Sequence, residues 1–458
     1  MSLEVINPYD QTQVCELPFD DGAALDRKVS AAVDAQPGWA AVPLDERIAR
    51  VREAVTYFER KAESLATDVT RQMGKPLEQS RDEVRTLLAR AAHMLDIAPD
   101  ALAPDRLPDI DGFRRRIEHI PLGVVFDVAA WNYPLIIAVN VVVPALVAGN
   151  AVLLKHSAKT PLCGHAFTEA FASMKPTNLV QDLVLSHEAT AALARDSRVS
   201  HVSFTGSVDG GRKVYAAAAE GLHGCGLELG GKDAAYVAPD ADLAFSADNV
   251  VDGACYNAGQ SCCGIERVYV HDLVYDEFLD RLHKVMERYH LGDPMDPATT
   301  MGPLASRSAL RTLEAHVRDA VHRGARVELG GSQLTGSRGN FWLPTLLTNV
   351  PNDALIMQEE SFGPLVPLAR VRDDDDALQR MNDTRFGLTA SVWTIDTERA
   401  ERFAAHLDVG TVFQNRCDYL DPALPWTGAR ESGIGSTLSP YGYLHLTRRK
   451  AIHFRTQL

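Results

Sequence analysis

Cys262, Glu228 and Asn132 are the three side chains whose surroundings single them out for chemistry. Cys262 sits in NAGQSCCGIERVYV (257–270), where Gly259 and Gln260 form a polar turn leading into a thiol and then a strand-like run. Such a turn exposes a thiolate to a cleft and aims backbone N–H groups at it. No histidine stands in a local protease-like arrangement, so papain-type acyl transfer lacks its base. In GCGLELGGKD, Glu228 ends an apolar β run just before two glycines that let backbone or ligand approach closely. A charge there is costly unless it is used. In AAWNYP, Asn132 follows another strand and precedes Pro134 at a helix start. Each residue also has an ordinary structural reading. Cys262 could be an inert thiol, Glu228 a turn cap or the ion-pair partner of Lys232, and Asn132 an N-cap.

A chain of 458 residues is too long for one simple core and predicts two or three domains. Apolar residues make up 46% and charged residues 23%, which fits a folded globular protein and excludes a disordered polymer. With 46 Lys and Arg against 61 Asp and Glu, the formal charge of -15 repels phosphate backbones and anionic lipid headgroups, so no nucleic-acid or membrane partner is expected. Seven scattered cysteines (15, 163, 225, 255, 262, 263, 417) do not read as a disulfide framework, and MSLEVINPYDQTQV carries no secretory pattern. A cytoplasmic protein is expected. The uncharged run PLIIAVNVVVPALVAGNAVLL (134–154) imitates a membrane span, but Asn140, Pro144 and the helix-ending Gly149-Asn150 split it into a buried helix and a buried strand.

The first hundred residues read mainly as helix, with apolar spacing at Ile48, Val51, Val55, Phe58 and at Val84, Leu87, Leu88, Ala91. From about residue 123, the short apolar runs GVVFDVA, AVLLK, DLVLS, VSHVSF and GCGLELG alternate with helix-like stretches near 135–148, 162–174, 188–195 and 208–220. That rhythm predicts βαβ units and a parallel sheet, with ligands at the carboxyl ends of its strands. A second alternating set over about 231–430, including ARVELG and the polar loop GGSQLTGSRGN (330–340), predicts a second α/β domain. GFRRRIEHI (112–120) and LTRRKAIHFR (446–455) alternate as exposed strands, which are natural joining edges between subunits. DDDDA (373–377) reads as a solvated turn or helix start.

WNYP (131–134), FTGS (204–207), LELGGK (227–232), NAGQSC (257–262), EESFGP (359–364) and PWTGARESGIG (425–435) stand in an order that resembles the NAD(P)-dependent aldehyde dehydrogenase superfamily over nearly the whole chain, with Glu228 and Cys262 34 residues apart as that pattern expects. The resemblance implies an α/β fold of two Rossmann-like domains plus a small β oligomerisation element. A cofactor-binding domain would span 1–102 and 122–230, a catalytic domain 231–445, and joining strands 103–121 and 446–458, in a homodimer or homotetramer. It implies that Cys262 attacks the aldehyde, that the Asn132 amide and the Cys262 backbone N–H hold the thiohemiacetal oxyanion, and that Glu228 activates water against the later thioester. A carboxylate in a partly apolar cleft has the raised pKa such a base needs.

NAD or NADP is the implied cofactor, with Gly206 and Ser207 at the pyrophosphate, Lys155 at the adenosine ribose, and Glu360 with Phe362 at the nicotinamide ribose and ring; the chemistry calls for no metal. Many NAD-preferring members carry a glutamate three residues after the lysine; here Ala158 stands there, followed by Lys159, so tolerance of NADP is expected. Tyr133, Ile137, Asn140, Ser261, Cys263, Leu420 and Trp426 resemble the family's substrate tunnel. Succinic semialdehyde enzymes often have arginine where this chain has Asn140, so a medium-chain or aromatic aldehyde is expected, unless Arg416 or Arg430 brings charge from another wall. Alternatives are a semialdehyde dehydrogenase, a CoA-acylating relative, a nonredox thiol hydrolase and a noncatalytic binding protein. Cys263 lines the pocket in one reading and joins Cys262 on oxidation in another.

Overall fold

The computed structural model describes residues 2–457; Met1 and Leu458, the outermost residues of the expected cofactor-binding and joining segments, lie outside them. Two buried cores organise the chain, one within residues 29–218 joined by Cys263, Leu388, Trp426, Leu438, Tyr443 and Leu446, the other within residues 234–407. The first core wraps a six-stranded sheet in the order Gly433–Ile434, Gly224–Glu228, His201–Thr205, Val124–Val128, Ala151–Lys155, Val180–Asp182, parallel except for its first strand. The second wraps seven strands in the order Arg326–Leu329, Thr345–Thr348, Leu365–Val371, Ile265–His271, Asp233–Val237, Thr389–Trp393, Thr411–Gln414. Only the outermost Arg326–Leu329 strand of that sheet runs antiparallel to its neighbour. The alternating α/β texture therefore gives the two expected Rossmann-like sheets. The late strand Gly433–Ile434 crosses back to pair with Gly224–Glu228 and so brings the chain's end onto the first sheet.

The apolar run from residue 134 divides as its breakers predict. Pro134 starts a helix over Pro134–Val147 despite its β-branched run, because nearly every side chain is buried and packing overrides propensity. Gly149, at φ +97, ends it. The Asn150 carboxamide then accepts from the N–H groups of Leu122 and Gly123 and donates to the Leu446 carbonyl. Among the described residues, no helix is long and apolar enough to cross a membrane.

Three expectations change. The run DLVLS is a strand only through Asp182; the strand covers Val180–Asp182. Beyond it, the Val184 N–H goes to the Asp20 carboxylate at 2.9 Å and its carbonyl to the Asp20 N–H, so the N-terminal segment replaces a neighbouring strand. The first hundred residues hold a β hairpin, Ser2–Ile6 with Gln13–Pro18, ahead of the helices. The exposed strands near 112–120 and 446–455 pair with each other, Phe113–Pro121 against Thr447–Arg455 in unbroken antiparallel register, and form a ribbon rather than two separate edges.

Candidate active site

The Leu243–Cys255 helix ends in a tight turn where Asn257, Ala258 and Gly259 all take positive φ (52, 55 and 71). Glycine is required at 259, because a Cβ there would come within 2.3 Å of the Gly363 carbonyl carbon. Such a turn is held by its surroundings. The Asn257 carboxamide donates to the carbonyls of Asn132 (3.0 Å) and Gln260 (3.1 Å), while Gln260 donates back to the Asn257 carbonyl and accepts from the Ala305 N–H. Cys262 leaves this turn half-buried. Asn132 Nδ2 donates one N–H to the Gln260 carbonyl at 3.2 Å, which places its carboxamide beside the thiol-bearing loop.

Asn132 is not the cap of the following helix; Tyr133 occupies that position without a side-chain bond. The helix start is served from elsewhere, since Glu83 Oε1 accepts from the N–H groups of Leu135 (2.7 Å) and Ile136 (3.4 Å). Nor does Glu228 pair with Lys232. Lys232 forms a buried ion pair with Glu266 and donates to Ser361 Oγ at 3.1 Å. Glu228, at the end of its strand, accepts from the hydroxyls of Thr437 and Thr205. Burial raises its carboxyl pKa, and the Thr437 hydroxyl, the nearby Arg90 charge and the Thr205 hydroxyl oppose the shift only in part.

Cys262, Glu228 and Thr205 line both of two adjoining cavities. The smaller, about 180 Å³, is also bounded by Asn132, Gly206, Ser207, Glu360, Phe362 and Trp131. Ser207 caps the Val208–Glu220 helix, whose N–H groups and dipole at that end favour an anion. Phe362, at φ +52, meets Trp131 edge-on at 5.5 Å, so it walls a cavity as well as packing. Its loop hangs on Glu266, which accepts from the N–H groups of Ser361 (2.7 Å) and Phe362 (2.8 Å). Glu360 accepts from the Gly231 N–H at 3.2 Å, and burial with the nearby Glu266 charge pushes its carboxyl up to about 8. Lys155 lines neither cavity. It is buried at the end of its strand, and desolvation pulls its ammonium down to about 8. Lys159 lies 4.6 Å above the Trp131 ring. A helix N-terminus and glycine-lined walls, with Lys159 stacked behind the Trp131 wall, fit an anionic dinucleotide.

The larger cavity, about 270 Å³, brings together all seven residues of the expected tunnel: Tyr133, Ile137, Asn140, Ser261, Cys263, Leu420 and Trp426. Its polarity is not what their apolar majority predicts. Asp418 is buried in the wall and takes hydrogen bonds on Oδ1 from Ser261 (2.7 Å) and Cys263 (3.0 Å). Cys263 is thereby a pocket-lining thiol with a carboxylate partner. Arg90, 5% exposed, reaches in from the Leu77–Ala101 helix and donates to Asn140 Oδ1 at 3.3 Å. Arg416 and Arg430 supply no charge here: Arg416 covers the Tyr419 ring, and Arg430 binds Asp408 and the carbonyls of Asn382 and Thr384. Sequence reasoning missed Arg90, Asp418 and Glu266. A signal existed for Arg90, because Glu83, Leu87, Arg90 and Met94 share one helix face and two charges thus interrupt an apolar stripe.

The aldehyde dehydrogenase family model matches residues 1–452. The chain is 36% identical over 448 residues to the NADP(+) succinate-semialdehyde dehydrogenase of Deinococcus radiodurans, covering 98% of this chain and 94% of the relative. Among solved structures, an NADP dependent enzyme of E. coli superposes with TM-score 0.94 at 32% identity, covering 99% of this chain and 95% of that one. PnpE in complex with nicotinamide adenine dinucleotide superposes with TM-score 0.96 at 30% identity, covering 100% and 95%. The thiol, carboxylate and carboxamide converge where two cavities meet, in a fold shared with these proteins along its whole length, and the chain belongs to the aldehyde dehydrogenase family.

Proposed function

We propose that the protein oxidises an aldehyde to its carboxylic acid with NAD or NADP, through a thiohemiacetal and then a thioester on Cys262. The observation that carries this reading is the position of Cys262 and Glu228 on the wall common to both cavities, one thiol and one carboxylate reachable from either side. Cys262 attacks the carbonyl carbon as thiolate. The oxyanion that forms faces the Asn132 carboxamide, which has a second N–H beyond the one given to Gln260, and the Cys262 backbone N–H. A bound nicotinamide supplies one piece of chemistry, acceptance of the hydride released as the thiohemiacetal collapses to thioester. Glu228 then takes a proton from water, which adds to the thioester and releases the acid and the thiol. Its carboxylate is aimed by the hydroxyls of Thr205 and Thr437.

Gly206, Ser207, Glu360 and Phe362 would hold the cofactor, with Lys155 toward its ribose. Ala158 opposes no 2′-phosphate and Lys155 has no carboxylate partner among the described residues, which supports use of NADP beside NAD. The residues divide in sequence accordingly: Glu228 ends a strand of the first sheet and Gly206 and Ser207 follow another, while Cys262 and Phe362 lie on loops beside strands of the second, which supports a cofactor-binding unit at 1–102 and 122–230 and a catalytic unit at 231–445. The paired ribbon, with Thr447–Arg455 at its outer edge, is the surface we assign to dimer or tetramer formation, read by light scattering. All seven cysteines are free, which suits the reducing cytoplasm. The relative named for succinic semialdehyde supports an acidic semialdehyde over a medium-chain or aromatic substrate.

The test is reduction of NAD and NADP by an aldehyde panel without CoA. Turnover that disappears in Cys262→Ala is expected, with NADP used within about a thousandfold of NAD, or about 4 kcal/mol. Turnover that requires CoA, or that survives Cys262→Ala, contradicts the reading.

A further inference from the structure

One buried charge takes no step in the reaction above, although its field helps to lower the Glu228 pKa. Two cations lie buried on or beside the Leu77–Ala101 helix, and they are treated differently. Lys75 is matched by the Glu83 carboxylate and sits 3.9 Å over the Tyr133 ring. Arg90 has no carboxylate partner among the described residues; its Nη1 meets only the neutral Asn140 oxygen, and its Nε is buried with no partner at all. Leaving a guanidinium out of water and unpaired is costly, and the cost is recovered only when an anion arrives. Its planar fork is shaped to take a carboxylate through two parallel N–H bonds.

The rest of the cavity narrows where such an anion can sit. Arg90 is the one cation of a lining that also carries the carboxyl groups of Asp82, Glu83, Glu228, Asp252 and Asp418, so it is the one place in the cavity where an incoming carboxylate meets an opposite charge. Asp252 is pushed up to about 6 by burial, and Asp418 is held by Ser261 and Cys263. The same cavity reaches Cys262. Resting on the aldehyde-oxidising reading, we propose that Arg90, steadied by Asn140, is the receptor for a carboxylate at the far end of the substrate, so that the enzyme selects short ω-oxo acids over uncharged aldehydes. The guanidinium thus enters from the Leu77–Ala101 helix and reaches the Asn140 side chain.

The experiment compares kcat/KM for ω-oxo acids of four to six carbons with that for unbranched alkanals of equal length, in wild type, Arg90→Met and Arg90→Lys. Wild type should favour an acid by about a hundredfold or more, a size in keeping with loss of a hydrogen-bonded buried charge partner. Arg90→Met should lose that preference through KM, with kcat/KM for the alkanal falling far less than that for the acid, and Arg90→Lys should recover part of it. Calorimetry with succinate, bound by wild type and not by Arg90→Met, reads the receptor without turnover. Equal use of acid and alkanal by wild type, a matched loss of both in Arg90→Met, or a preference for an ω-aminoaldehyde overturns the proposal. Cys262-dependent oxidation of alkanals with no acid preference sinks Arg90 alone; succinate binding without any aldehyde oxidation sinks the reaction and leaves the receptor standing.

Discussion

The two cavities that meet at Cys262 are built by different means. The smaller is shaped by backbone: the cap of the Val208–Glu220 helix, Gly206, Gly230 and a loop hung by its N–H groups from Glu266. The larger is shaped by side chains from distant segments, with Arg90, Asn140, Ser261 and Asp418 in one wall system. Backbone cradles accept one shape of ligand and tolerate changes in side chain, provided no Cβ intrudes. Side-chain walls set charge and can be rewritten residue by residue. On the proposed reading, the reaction sits on the junction and specificity on the side-chain half.

Breaking the junction should cost most. Cys262→Ala is expected to lower kcat with either cofactor by at least about a thousandfold, with cofactor affinity, read by quenching of tryptophan fluorescence, within threefold of wild type. Loss of cofactor binding in that variant would mean that the thiol shapes the small cavity and that the two halves are not separable. Asn132→Ala should reduce kcat by about 10²–10³-fold, as for removal of one oxyanion donor, with the aldehyde KM little changed.

Smaller effects sharpen the contrast between the halves. A Cβ at Gly230 would come within 2.5 Å of a Glu360 carboxylate oxygen, so Gly230→Ala should raise the cofactor KM by about tenfold, near 1.4 kcal/mol, and leave the aldehyde KM alone. On the side-chain half, Lys75→Met leaves Glu83 as a buried unpaired carboxylate and should lower stability by about 3–5 kcal/mol, read by denaturant unfolding. The mildest test is of pH. Burial raises the Glu228 pKa, and the base works only when deprotonated, so the rising limb of kcat should have its midpoint above 4.5, the midpoint for an ordinary glutamate. A limb that persists unchanged in Glu228→Gln belongs to another group.

The same division explains what the sequence made legible. Glu228, Asn132, Cys262 and the Gly206-Ser207 turn lie in short contiguous strings, because a backbone-built site needs its residues in local order. The apolar run at 134–154 likewise announced its own helix and strand through Pro134 and Gly149. Arg90 and Asp418 stand in no motif; Arg90 reaches Asn140 only when the Leu77–Ala101 helix packs against the Pro134–Val147 helix, and reading Asn140 alone left both charges out of that cavity. Glu266 was hidden for a similar reason, as a carboxylate inside the Ile265–His271 strand that serves another loop. The early end of the DLVLS strand depended on Asp20, more than a hundred and fifty residues away.

The central claim is that Cys262 carries the acyl group and Glu228 releases it. Rapid mixing of Glu228→Gln with aldehyde and cofactor, followed by intact-protein mass measurement, tests it most directly. A burst of about one reduced nicotinamide per subunit, then turnover slowed by about 10²–10⁴-fold with the acyl mass retained on Cys262, is the predicted result. Steady turnover at the wild-type rate, or a burst that leaves no acyl mass on the protein, would contradict it.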